Sequence, residues 1–99
     1  GTGTDLADLL ARPRAERLKL IGRAVGERVA AVLHFGSAEE VEPGADFVTL
    51  GLDSVMGMDV KSGLESDFGL NLPASLTFDH PSVGKLTEFV ERQLTQEAG

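Results

Sequence analysis

Leu18, Ile21, Val25, Val29 and Val32 recur at helical spacing between arginines and glutamates. That pattern lays one apolar stripe along a helix and leaves the other faces wet. It predicts a first main helix from Pro13 to about Leu33. Pro13 suits the first helical position, where its missing N–H costs nothing, and Gly36 suits the stop just past the last periodic residue. A second stripe, Met56, Val60, Leu64 and Phe68, steps by four and predicts a helix from Asp53–Ser54 to Phe68–Gly69. A third, with Val83, Leu86, Phe89, Val90 and Leu94, predicts a last helix that starts near Ser82 and frays by about Gln96. Between the last two, Pro73 opens a short helical piece carrying Leu76 and Phe78.

Residues 37–52 are polar, broken at Pro43–Gly44, and show no sustained alternation. They predict a long ordered loop pinned to the core by Phe47 and Leu50, with Gly51 allowing a turn that a β-carbon would hinder. Ahead of the first helix, Asp5–Ala11 reads as one or two helical turns, and the opening Gly-Thr-Gly-Thr reads as a linker remnant. The expected architecture is all-α: a small antiparallel bundle of three main helices and one short helix, with a long first loop. The expected domain covers residues 13–95, with 1–12 as a linker that can hold a short helix and 96–99 as a frayed tail.

Val55 and Met58 lie off the stripe of the second helix, on the side shared by Asp59 and Ser62. Two readings stay open for them on pattern alone. A neighbouring loop could bury them, or they form a surface that several partners touch, since a thioether adapts to varied shapes.

Composition narrows the function. The 99 residues fit one domain, and 41% of them are hydrophobic, enough for a core. The net charge of −7 and the absence of Trp and Tyr speak against nucleic acid, whose phosphates would be repelled and whose bases need aromatic platforms. No apolar run reaches the roughly 20 residues of a membrane span. Without cysteine there is no disulfide, thiolate metal site or Cys nucleophile, and a reducing cytoplasmic setting is compatible. The charge is also uneven. Residues 37–80 hold nine acids against Lys61 alone, a net of −8, while residues 1–36 carry +2. The acids surround Ser54, as a solvated face or as a recognition surface for basic partners.

Ser54 is the candidate for chemistry. As a hydrolytic nucleophile it lacks support: His34 and His80 are both distant in sequence, and Gly-Leu-Asp-Ser-Val lacks the second glycine of a nucleophile elbow. His80 is expected to face solvent or pair with backbone. No metal-ligand spacing is present either. Spacing alone allows Ser54, or Asp53, to be simply a helix cap.

The run FVTLGLDSVMGMDVKSGLESDFGLNLPASLTFDHPSVGKLTEFV, Phe47 to Val90, resembles acyl carrier protein domains of polyketide synthases. Phe47, Leu50, Gly51, Asp53, Ser54, Phe68, Gly69, Leu72, Pro73, Phe78, Asp79 and Pro81 fall in register with that family's pattern. Val55 replaces the commoner Leu, Ser82 the commoner Thr, and Met58-Asp59-Val60 stands at a usual Glu-Leu pair. The resemblance implies that Ser54 carries 4′-phosphopantetheine through a phosphodiester and that Asp53 is its neighbour in recognition by a phosphopantetheinyl transferase. It places Leu52, Val55, Met58, Asp59 and Ser62 where carriers meet ketosynthase, acyltransferase and processing or release domains. It implies a carrier with no catalysis of its own. Peptidyl and fatty-acid carriers are the neighbouring types, and an unmodified acidic helical interaction module is the reading from another class.

Overall fold

The computed structural model describes residues 6–98; the Gly-Thr-Gly-Thr opening lies outside them. The N-terminal turns are helix α1, Leu6–Ala11. Leu9 is completely buried, and Leu6 and Leu10 pack against the core. This short helix, which falls within residues 1–12, thus packs against the core. Helix α2 spans Arg14–Leu33, and Pro13 sits one position earlier than expected, at the N-cap with ψ 154°. Its carbonyl accepts from Glu16 and Arg17, so it starts the helix from outside it.

The stop of α2 is His34, not Gly36. His34 takes the left-handed conformation at φ 62°. The Phe35 and His34 amides then close on the Ala30 and Ala31 carbonyls, at 2.8 and 3.3 Å, a pairing that satisfies the last orphan carbonyls of a helix. Gly36 serves the next element: its amide, with that of Ser37, donates to the Glu40 carboxylate. This closes a reciprocal capping box around a 3₁₀ turn, Ala38–Glu40. That turn, and the buried Val41 after it, break up the stretch expected to be plain loop.

Phe47 pins the remainder as expected. It is buried, its amide donates to the Pro81 carbonyl at 2.7 Å, and its own carbonyl accepts from Leu52 at 2.9 Å. Leu50 is partly buried and packs against the core, as expected. Its amide folds back on Asp46, and Gly51, at φ 94°, reverses the chain so that Leu52 points inward as well.

Helix α3, Ser54–Phe68, ends on left-handed Gly69 (φ 66°). Val60, Leu64 and Phe68 form its buried stripe. Helix α4, Leu76–Asp79, is short, and helix α5, Val83–Ala98, runs past the end expected near Gln96. The Ser82 hydroxyl accepts from the Lys85 amide, the role expected of it. Contacts between α2 and α5 pair Arg17 with Glu91 and Gly22 with Thr87, which makes the two helices antiparallel. The Phe47 bonds to Pro81 and Leu52 bring the starts of α3 and α5 to one pole, so α2 runs antiparallel to both.

Ion pairs staple these contacts. Glu91 is buried and accepts Arg17 at 3.0 Å, with Arg14 at 3.9 Å. Arg28 grips Asp67 with two bonds, 2.9 and 2.6 Å, lying across Gly63, where a β-carbon would come within 2.6 Å of its side chain. His80 does not simply face solvent. It stacks on Phe89 with ring centroids 4.2 Å apart, and burial pushes its pKa down from the ordinary histidine value.

Candidate functional site

Asp53 and Ser54 divide the work at the start of α3. Asp53 has extended backbone, and its Oδ1 accepts the Met56 amide at 2.8 Å. It is the cap that satisfies an otherwise unpaired first-turn donor. Ser54 is the first helical residue. It is exposed, and its hydroxyl has no hydrogen-bond partner among the described residues. A hydroxyl there stands beside the positive end of the helix macrodipole, where an attached phosphate is electrostatically favoured.

The side chains around it fall into two groups. Val55 is 70% exposed and Met58 43% exposed, so no neighbouring loop buries them. Asp59 and Ser62 are exposed beside them. Leu52 is not on this surface. At 8% exposure it lies in the core, directed toward Gly57, and supports the first turn of α3 from beneath. Its inward turn follows from the reversal at Gly51, which alternation counting does not detect.

Gly57 is the residue that stripe analysis leaves without a role. A β-carbon there would stand 2.5 Å from the Thr77 hydroxyl oxygen. Glycine is what lets α4 lie directly against the first turns of α3. An interior helical glycine, costly against alanine, is itself a signal of close approach. The segment leading to α4 is held to α3 lower down. The Glu65 carboxylate accepts the Leu72 amide at 2.8 Å and Lys61 at 3.1 Å. These bonds, the Leu72 amide foremost, hold the Glu65 pKa below the usual carboxylate range.

The site therefore offers one accessible hydroxyl on a rigid helix start, bordered by apolar side chains and acids. None of the described side chains hydrogen-bonds Ser54 to activate it, and His80 is turned onto Phe89. No cluster of metal-ligating side chains occurs among the described residues, and no helix among them is long and apolar enough to cross a membrane. Ser54, Asp53 and the exposed first turn fit a phosphodiester-linked arm, because the serine is free to accept it and the cap is independent of it.

Comparison with known proteins identifies the family. Residues 23–90 match the family model described as the phosphopantetheine attachment site. Over 91 residues the chain is 35% identical to polyketide synthase GfsB of Streptomyces halstedii, covering 92% of this chain and 2% of that protein. It is 36% identical to the spectinabilin polyketide synthase system protein NorB of Streptomyces orinoci, covering 100% of this chain and 5% of that one. The chain thus spans a small fraction of the length of these relatives. Among solved structures, the A1-type ACP domain from module 5 of MLSA1 superposes with a TM-score of 0.81 at 28% identity, over 89% of this chain and 88% of that one. The type-II acyl carrier protein BlmI of Streptomyces verticillus gives 0.74 at 25% identity, over 84% and 99%. With its helical bundle, a free serine at a capped helix start and a family match across most of its length, this chain belongs to the phosphopantetheine attachment-site family, as an acyl carrier domain of the polyketide-synthase type.

Proposed function

We propose that Ser54 is the attachment point for 4′-phosphopantetheine and that the domain tethers acyl intermediates of a polyketide synthase. One observation carries this reading: Asp53 takes the capping role, which leaves the Ser54 hydroxyl exposed and uncommitted. Attachment forms one P–O bond to Ser54 Oγ and breaks the pyrophosphate P–O bond of coenzyme A. Adenosine 3′,5′-bisphosphate leaves, and the hydroxyl proton passes to a base of the phosphopantetheinyl transferase. No described side chain hydrogen-bonds the Ser54 hydroxyl, so the base that takes its proton belongs to the transferase. The arm supplies a terminal thiol that holds acyl groups as thioesters, the thiol chemistry a chain without cysteine otherwise lacks.

The chain's own contribution is placement. Asp53 fixes the helix start, the helix dipole favours the phosphate, and Val55, Met58, Asp59 and Ser62 form the face offered to ketosynthase, acyltransferase and processing or release domains. Asp53 adds a carboxylate beside Ser54 for the transferase to recognise. A free thiol on a working arm suits a reducing cytoplasm. The test is intact mass spectrometry after incubation with a phosphopantetheinyl transferase and coenzyme A. The wild type gains the mass of one arm and Ser54→Ala gains none; no gain on the wild type overturns the reading.

A further inference from the structure

Thr87 Oγ1 is the only buried side-chain oxygen or nitrogen without a hydrogen-bond partner among the described residues. The residue is 6% exposed. A helical threonine ordinarily turns its hydroxyl onto a carbonyl one turn back. Thr87 does not; its hydroxyl faces α2 at Gly22, where a β-carbon would stand 3.5 Å from it. A stranded hydroxyl of this kind needs a partner from outside the chain. Thr87 also lines a groove between α2 and the start of α5, formed by joined hollows of about 840 and 330 Å³ that share Gly22, Pro43 and Val83. Gly22 and Gly26 lie four apart and bare one face of α2 as the floor, and Val41, Pro43 and Val83 line the rest with apolar surface. The exposed rim mixes Lys19 and Arg23 with Glu27, Glu39 and Glu88, so neither sign of charge prevails. A mostly apolar hollow of this size with one placed polar group is the form of a small-molecule site.

The loop between α2 and α3 ties the groove to Ser54. The Pro43 carbonyl accepts the Gly84 amide at 2.9 Å, the Pro81 carbonyl accepts the Phe47 amide at 2.7 Å, and the Phe47 carbonyl accepts the Leu52 amide at 2.9 Å. From Ser54 to Val83 the path is two residues to Leu52, two hydrogen-bonded crossings, and two residues from Pro81. At about 3.6 Å per residue and about 5.5 Å per crossing, the separation is at most about 25 Å. Thr87 lies one helical turn, about 6 Å, beyond Val83. A phosphopantetheine arm extends about 16 Å at peptide-like spacing, so even at that limit a chain of about twelve carbons on its thiol reaches Thr87.

We infer that the α2–α5 groove holds the acyl chain of the loaded carrier, with the Thr87 hydroxyl donating to one of its oxygens. This rests on the reading of Ser54 as the attachment point. The lining selects the class of chain. A charged group gains little from a rim of mixed sign, and a plain hydrocarbon leaves Thr87 stranded. A neutral chain with keto or hydroxyl oxygens along it covers the apolar floor and satisfies the hydroxyl together. Such a chain is what a polyketide intermediate is, and the groove shelters it from water between visits to partner domains.

The test loads ¹⁵N-labelled protein through a phosphopantetheinyl transferase with coenzyme A analogues that carry their acyl group in an amide linkage. The groups are acetyl, dodecanoyl, and dodecanoyl with keto oxygens at carbons 7 and 11. Backbone amide shifts are read against the acetyl form, whose chain is too short to arrive. Both long chains should move the amides of Gly22, Gly26, Gly84 and Thr87. The keto chain should occupy the groove about fivefold more than the plain one, the worth of one hydrogen bond. Thr87→Val puts a methyl group in place of the hydroxyl and should erase that preference while leaving the plain chain's shifts. Gly22→Ala sets a β-carbon at ordinary contact distance, 3.5 Å, from the hydroxyl, and should erase it too, with the unfolding midpoint retained. If the wild type takes no arm, the reading of Ser54 fails and the cargo site fails with it. If it takes the arm and the groove amides stay at their acetyl positions, or shifts appear only elsewhere in the bundle, the site is refuted while Ser54 stands. Equal occupancy by both long chains, unchanged in Thr87→Val, refutes the role of the hydroxyl.

Discussion

Replacing Asp53 and Ser54 one at a time by alanine separates the cap from the anchor. The structure assigns the Met56 amide to Asp53 Oδ1 at 2.8 Å. Loss of such a cap typically costs about 1 kcal/mol, within a range of roughly 0.5–2. The carboxylate also faces the helix N-terminus, worth about 0.3–1 kcal/mol at an exposed site, and that contribution is part of the same loss. Asp53→Asn keeps the acceptor and removes the charge, so it should fall between wild type and Asp53→Ala. Ser54 is exposed and its hydroxyl bonds to none of the described residues, so Ser54→Ala should stay within about 0.5 kcal/mol of wild type. Alanine's better helix propensity favours the stable side of that window. For a domain of this size about 1 kcal/mol corresponds to roughly 4–8 °C in Tm. Thermal and urea unfolding followed by circular dichroism read both quantities. The expected pattern is a stability loss without loss of the attachment hydroxyl for Asp53→Ala, and the reverse for Ser54→Ala. Should Ser54→Ala destabilise as much as Asp53→Ala, the division of roles between the two residues is wrong.

Three further outcomes follow from particular contacts. Gly57→Ala places a β-carbon 2.5 Å from the Thr77 hydroxyl oxygen. Overpacking of about 1–3 kcal/mol then outweighs a helix-propensity gain of about 1, so the Tm falls and arm attachment slows as α4 is displaced. Glu91→Ala strands Arg17, whose side chain is only 17% exposed. Breaking a largely buried pair costs about 3 kcal/mol, measurable as a lower urea midpoint, with Glu91→Gln losing less. His80 has a lowered pKa, so the unfolded chain takes up its proton first as pH falls. Stability is full above the unfolded histidine value near 6.5 and declines below it. His80→Phe keeps a ring against Phe89 and should remove that decline in Tm measured from pH 8 to 5, leaving only the carboxylate losses at lower pH.

Much of the bundle is local and was therefore readable from spacing. The stripes Leu18–Val32, Met56–Phe68 and Val83–Leu94 repeat with the helical period because each helix turns one face to a common core. Phe47, Gly51 and Ser82 could be assigned roles because a single side chain or a single φ does the work. Ser54 could be singled out by the register of a dozen residues around it, and the acid surrounding it by a count of charges.

The remaining features depend on atoms far apart in the chain. Which of Asp53 and Ser54 caps α3 depends on the direction in which Gly51 and Leu52 deliver the backbone. That Val55 and Met58 are exposed depends on where the long loop does not go. The stop of α2 fell on His34 because the capping box of the next turn claims Gly36, a competition that propensities scored singly do not contain. Helix α1 joined the core through Leu9, and Thr77 found the bare backbone at Gly57. Periodicity reports how a residue faces its own helix. Only the packed structure decides which neighbour, if any, it meets there, because that distance is set by elements separated by tens of residues.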